Sequence, residues 1–250
     1  MDIPIIFEDD SLMVIDKPPG MVVNKADSVR EETVQGWAEK RMKVEKVDKV
    51  EKVEKESTNS TYSTSSTFSQ RAGIAHRLDK ETSGVLVIAK TPQSFENLQA
   101  QFKNREVTKR YLTLVHGKVG GSGKIIASVG RLPWNRERFG VLPGGREAVT
   151  SFKLLRLLGS LKGEIFSLLE VTPHTGRTHQ IRIHLKYSGH SIVADHFYAG
   201  RKVYRQDLKF CPRLFLHATY LKIKHPLSGE WSEFESPLPP DLEATLKKLV

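Results

Sequence analysis

The 250-residue sequence has a single cysteine, Cys211, which excludes an internal disulfide framework and a cysteine-built zinc cluster. It has no long apolar run: the longest aliphatic stretch, Val85 to Ala89, falls far short of the roughly 20 residues that a membrane-spanning helix needs. The opening residues MDIPIIFEDD lack a basic lead-in and set acids directly behind the apolar patch, so no secretory signal is visible. Neither a Gly-x-x-x-x-Gly-Lys-Ser/Thr loop nor a Gly-x-Gly-x-x-Gly turn occurs, so nucleotide-driven and hydride chemistry are not indicated. The run Gly120-Gly121-Ser122-Gly123-Lys124 has the wrong spacing for a phosphate-binding loop and reads as a hairpin turn. Acid is in deficit, with 29 Asp and Glu against 39 Lys and Arg and a net charge of +10. What remains is a basic, soluble protein, expected in the cytoplasm.

The positive charge is concentrated. Between Val171 and His225 ten Lys or Arg face only Asp195 and Asp207, leaving this segment at +8. A polyanion partner accounts for such a segment, because each neutralised phosphate releases counterions. A solubilising surface accounts for it equally well.

Pattern along the chain predicts α+β rather than a doubly wound sheet, because strands outnumber helices and do not alternate with them. Ile3–Phe7 and Leu12–Ile15 read as a hairpin, stopped by Asp16-Lys17-Pro18-Pro19-Gly20. Val34, Trp37, Ala38 and Met42 recur at helical spacing. Residues 43–70 differ: a Lys-Val-Glu triplet repeat with five lysines and five acids is followed by ten Ser or Thr among fourteen residues. This stretch is expected to be a frayed helix running into a flexible loop, an insertion outside the core of one domain spanning 1–250. Further strands are expected at Gly84–Ala89, Tyr111–Val115, Phe152–Leu158, Glu164–Val171, Leu214–His225 and Trp231–Phe234. Helices are expected at Ser94–Phe102, behind Pro92, at Thr178–Tyr187 and at Asp241–Val250.

Three polar constellations stand out. His76-Arg77-Leu78-Asp79-Lys80-Glu81-Thr82-Ser83-Gly84 sets an acid on a turn just before a strand, although an exposed Arg-x-Asp also reads as a surface ion pair. In Thr175-Gly176-Arg177-Thr178-His179-Gln180-Ile181-Arg182 a glycine turn opens a helix, so backbone amides and Arg177 could hold a phosphate. Lys109-Arg110-Tyr111 suits a stacked base beside a phosphate. Nine histidines invite metal chemistry, but His179 and His184 are five apart and lie on different helix faces; no metal site is expected.

In combination, HRLDKETSGVLVIAK at 76–90, KRYLTLVHG at 109–117, HTGRTHQIRIHL at 174–185, GHSIVADHFY at 189–198 and LFLHATYLKIKHP at 214–226 resemble the RluA-type pseudouridine synthases. The opening IIFEDDSLMVIDKPPGMVVN at 3–24 is similar too, so the resemblance covers all but 43–70. It implies a central mixed, largely antiparallel sheet with flanking helices and an RNA-binding catalytic cleft. It implies isomerisation of uridines in rRNA or tRNA to pseudouridine with no cofactor and no metal, by a protein expected to be a monomer. Asp79 matches the family's catalytic aspartate, Tyr111 its active-site tyrosine, and Arg182 the arginine that pairs with the aspartate. Arg77 matches the arginine that helps hold RNA open around the flipped base. His76, Thr82, Lys109, Arg110, Arg177 and His179 lie in the same motifs and are expected to contact RNA. Ser191 and Ala194 depart from the pattern, replacing a proline and a glycine, which bears on loop shape. No small RNA-binding module is expected ahead of the catalytic domain.

Overall fold

The computed structural model describes residues 2–27, 29–42, 67–133, 135–159 and 163–249. They form two compact units. The first draws on Met1–Lys80, Gly84–Val107 and Lys222–Glu235. Its β1 (Ile5–Glu8) and β2 (Leu12–Lys17) form the expected antiparallel hairpin. The turn between them is set by Asp9, whose carboxylate accepts from the amides of Ser11 and Leu12 at 2.8 Å each. β2 pairs antiparallel with β3 (Ser83–Ala89), which belongs to this unit from Gly84 onward, in a register running from Leu12↔Ala89 to Lys17↔Gly84. Both strands are buried on both faces, which is why they read as continuous apolar runs and not as alternation.

Two helices complete this unit. In α1 (Val34–Met42), the Thr33 hydroxyl accepts the Gly36 amide at 3.0 Å, and Val34, Trp37 and Ala38 face inward. α2 (Pro92–Asn104) starts at Pro92, is capped by Thr91 and ends at Arg105 in the left-handed region, φ 62°. Of the atypical segment, 43–66 lies outside the described residues. Residues 67–71 form a helical turn, and Phe68 is buried edge-on against Phe95 at 6.0 Å between centroids. Phe68, within the stretch assigned to the insertion, therefore belongs to the core, because this aromatic ring in a Ser/Thr-rich run finds an apolar partner on α2.

The second unit draws on Glu81–Ser83, Thr108–Leu221 and Ser236–Val250. Its sheet is ordered β10 (Leu216–Lys224), β4 (Thr108–His116), β9 (Ile165–Pro173), β8 (Val149–Gly159), β5 (Ser122–Ile126), with β10 in this unit as far as Leu221. The pairs β4–β9, β9–β8 and β8–β5 are antiparallel. A separate hairpin, β6 (Val129–Leu132) and β7 (Asn135–Val141), was not expected, nor was α4 (Arg201–Asp207), which follows α3 (Gln180–Tyr187). α3 packs on β7, β8 and β9, and its Ile183 joins Val129 and Ala148 in a buried cluster with Phe139, Val141 and Tyr198. The Gly120–Lys124 run is only partly a turn: Gly121, φ 82°, bends the chain and Ser122 already enters β5. β11 (Trp231–Glu235) pairs with β10 in the first unit, and α5 (Pro240–Lys247) closes the chain. The class is α+β, as expected.

Candidate active site

In the first unit, the loop leading to β3 is pinned at both ends of its polar run. His76 accepts the Val87 amide on Nε2 at 3.1 Å and stacks on Phe102, 4.4 Å between centroids and 22° from parallel. That engagement makes His76 a support for the loop. Arg77 is exposed, Leu78 is buried, and Asp79 is half-buried between Leu78 and Lys80. The Lys80 carbonyl accepts from the Gly20 amide at 2.8 Å and from Lys17 Nζ at 3.1 Å. Lys17 has no exposed surface, and its ammonium also donates to Pro18 O at 2.7 Å and Met21 O at 2.9 Å. The Asp-Lys-Pro-Pro-Gly segment, read in sequence only as a strand stop, thus clamps the residue next to Asp79. The available signal was a lysine ending an apolar strand.

In the second unit, Thr82 is buried, and its hydroxyl is without a hydrogen-bond partner among the described residues. Ser83 Oγ lies 2.9 Å from His217 Nδ1, and His217 Nε2 donates to Ser236 O at 3.2 Å. On β4, Lys109 and Tyr111 share one face and Arg110 takes the other. Tyr111 is buried opposite Val171. Arg110 lies 3.7 Å above the Tyr220 ring and 3.8 Å from Glu170, contacts that occupy its guanidinium within the fold. Burial lowers the Lys109 ammonium to about 8.

The loop into α3 is organised by Gln180. Its Oε1 accepts from Thr175 Oγ1 at 2.6 Å and from the Arg177 amide at 3.0 Å; its Nε2 donates to Val149 O at 3.0 Å and Thr150 Oγ1 at 2.9 Å. The Arg177 amide, which the sequence offered to a phosphate, is therefore already satisfied, and Arg177 Nε donates to Glu147 O at 3.2 Å. His179 takes a left-handed conformation, φ 54°, with Nδ1 2.9 Å from Tyr198 Oη. This conformation delays the start of the helix to Gln180, two residues later than the periodicity predicts. Arg182 is buried and forks onto Asp195, Nε to Oδ2 and Nη2 to Oδ1 at 2.8 Å each. Asp195 also accepts the amides of Phe197 and Tyr198, and the guanidinium lies 5.2 and 5.1 Å from those two rings. Asp195 was not among the sequence candidates, although it stands within the GHSIVADHFY motif.

Residues 11–187, which carry Asp79, Tyr111 and Arg182, match the family model described as RNA pseudouridylate synthase. The chain belongs to this family. An uncharacterized RNA pseudouridine synthase of Chloroflexus aurantiacus is 46% identical over 179 residues, 72% of this chain and 54% of that protein. The ribosomal large subunit pseudouridine synthase D of Nitrosomonas europaea is 36% identical over 250 residues, 98% of this chain and 64% of that protein. The chain thus spans between half and two thirds of the length of these relatives. Among solved structures, human RNA pseudouridylate synthase domain containing 1 superposes with a TM-score of 0.71 at 26% identity, covering 98% of this chain and 87% of that one. The pseudouridine synthase fold, a mixed and mostly antiparallel sheet with flanking helices, is therefore the fold of this chain.

One departure from the synthase pattern acquires a physical meaning. Ala194, standing where the resemblance has glycine, is in the left-handed region at φ 56°, and its amide donates to Asp207 Oδ2 at 2.8 Å. The pattern's glycine suits that backbone; here an alanine is held in it. Among the described residues no group of three His, Cys, Asp or Glu could hold a metal ion, and no helix is long and apolar enough to cross a membrane.

Proposed function

We propose that this chain is an active RNA pseudouridine synthase that isomerises selected uridines of ribosomal RNA, with Asp79 as the catalytic carboxylate and Tyr111 and Arg182 serving the same reaction. The reading rests on the family match across residues 11–187, within which all three residues stand in their motifs. Ribosomal RNA is favoured because relatives aligned over nearly the whole chain are named for the large ribosomal subunit.

The reaction breaks N1–C1′, turns the uracil, joins C5 to C1′ and moves the C5 proton off the base, while N1 regains one; substrate and product are isomers. A carboxylate serves both routes open to such chemistry, attacking C1′ or taking a ribose proton to start a glycal path. Either way the carboxylate must be ionised in a water-poor pocket, where a nearby cation opposes the effect of burial. Arg182 is suited to work by charge and orientation, since a forked guanidinium held by Asp195 keeps one geometry and one charge. The Tyr111 phenol offers a stacking face for the detached base and a group to receive the C5 proton. The uridine must leave its stack, at a cost of a few kcal/mol, least in a loop or bulge. A net charge of +10 helps offset that cost through phosphate contacts.

The test is purified protein incubated with a large-subunit ribosomal RNA transcript, followed by carbodiimide mapping of pseudouridine. Turnover at a defined uridine is expected, lost by about 10³-fold or more in Asp79→Asn while RNA binding persists. Full turnover in that variant removes Asp79 from the chemistry. Modification of transfer RNA alone overturns the choice of substrate.

A further inference from the structure

In the second unit, the stretch from Gly189 to Phe210 shows the solvent only one sign of charge. Its two acids are buried and engaged: Asp195 by the Arg182 fork, and Asp207 by the Ala194 amide at 2.8 Å and His116 Nε2 at 3.0 Å, both at Oδ2. Arg201, Lys202 and Arg205 on α4 and Lys209 just beyond it are exposed, and none of the four is in an ion pair among the described residues. A surface that serves solubility intersperses both signs. This one does not.

A run of ring contacts joins that cationic helix to Arg182. The Arg182 guanidinium lies 5.2 Å from the Phe197 ring, Phe197 lies 4.0 Å from the His196 ring, and His196 lies 5.9 Å from Tyr204 on α4. Phe197 and Tyr204 are half-buried, whereas His196 is exposed. The two neighbouring rings are tilted by 53° and 56° to the imidazole, so neither covers its face by parallel stacking. Arg201 precedes Tyr204 by three residues and Arg205 by four, which sets both beside it within one turn of the helix. The arrangement is fixed before any ligand arrives. Asp195 Oδ1 accepts the amides of Phe197 at 2.9 Å and Tyr198 at 3.1 Å, and Asp207 ties α4 back to Ala194 on the same loop.

An open aromatic face beside unpaired guanidiniums matches unpaired RNA, whose bases stack while its phosphates take charge-assisted hydrogen bonds. A purely anionic partner would use the arginines and leave the imidazole face idle. We propose that His196, Arg201 and Arg205 bind the unpaired RNA strand flanking the target uridine: His196, backed by Phe197 and Tyr204, stacks on one base, and the two arginines hold phosphates. This surface rests on the reading of the chain as an RNA-modifying enzyme, and it deepens that reading by naming where the flanking strand is held beyond Arg182.

The experiment measures binding of a fluorescein-labelled large-subunit ribosomal RNA transcript by anisotropy, between about 50 and 200 mM salt, beside multiple-turnover kinetics on the same RNA. All three side chains are exposed, so their truncation leaves the fold intact. With Arg201→Ala and Arg205→Ala combined, the slope of log affinity against log salt is expected to fall by about 1.4 to 1.8, the share of two phosphates, and KM to rise more than kcat falls. His196→Ala is expected to weaken binding by about 5-fold or more, and His196→Phe, which keeps a ring, to restore it. Lys247→Ala, which removes an exposed charge on α5, is expected to keep the wild-type slope and affinity. Wild-type affinity in His196→Ala, or a His196→Phe that binds no better than the alanine variant, overturns the stacking surface. An active wild type whose double arginine variant keeps slope and KM also overturns it and leaves the enzymatic reading standing. A wild type whose binding depends on all three residues but which forms no pseudouridine supports the surface and overturns the activity instead.

Discussion

A lysine is kept out of water only where its ammonium finds hydrogen-bond acceptors, and Lys17 finds three in the carbonyls of Pro18, Met21 and Lys80. Exposed pairs in the same unit, such as Lys40 with Glu32 at 2.7 Å, contribute little, since water competes for both partners. The buried lysine is in a different range. Lys17→Met strands carbonyl groups in an apolar surrounding and is expected to lower unfolding free energy by about 2 to 4 kcal/mol in urea titration. Because one of those carbonyls belongs to the neighbour of Asp79, turnover is expected to drop further than the unfolded fraction explains. Unchanged stability in Lys17→Met would mean that the carbonyl cage is of no consequence to the fold.

At the level of elements, α2 shows local chemistry acting alone. Its Thr91 hydroxyl accepts the Ser94 amide at 3.1 Å, Pro92 takes the first helical position, and Phe95 and Leu98 supply the apolar stripe. Thr91→Ala is expected to cost about 1 kcal/mol in thermal or chemical unfolding, with activity at low temperature unaffected. Such elements were legible in sequence because everything that defines them lies within a few residues. The start of α3 was not, since the left-handed His179 is held by Tyr198 and flanked by Phe139 and Phe197, residues brought there by the fold. β7 was missed because its Asn-Arg-Glu-Arg-Phe-Gly-Val sequence mixes charges into what would be an alternating strand. The same division runs through the candidate site. Asp79, Tyr111 and Arg182 announced themselves through contiguous motifs, whereas Lys17 and Asp195 matter through partners distant in sequence: Lys80 is 63 residues from Lys17, and Arg182 is 13 residues from Asp195. A motif reading finds groups that meet substrate more readily than groups that meet one another.

For the whole molecule, acid and base probe opposite aspects of the charge distribution. Asp9 joins the β1–β2 turn to His225, 216 residues away, at 2.7 Å. Partial burial tends to raise its carboxyl, but the amides of Leu12 and Ser11, with His225 and the Ser11 hydroxyl, outweigh it and bring it to about 2. A carboxyl lowered on folding adds stability above its unfolded value, 3.8, and that contribution drains away as pH falls through about 2. Lys109 works in the other direction. Its ammonium is pushed down from 10.5 to about 8, so between those values the unfolded chain binds more protons than the folded one and stability rises with pH. Below about 8 the folded protein carries the full desolvation penalty of this half-buried ammonium. Lys109→Met removes that penalty: it is expected to raise the unfolding midpoint at neutral pH, to abolish the gain in stability of the wild type between about pH 8 and 10.5, and to weaken RNA binding. Urea unfolding across that pH range, set beside RNA affinity, checks all three. A residue whose removal stabilises the fold and weakens RNA binding is one retained for its ligand, and a variant that lost both stability and binding would return Lys109 to a purely structural part.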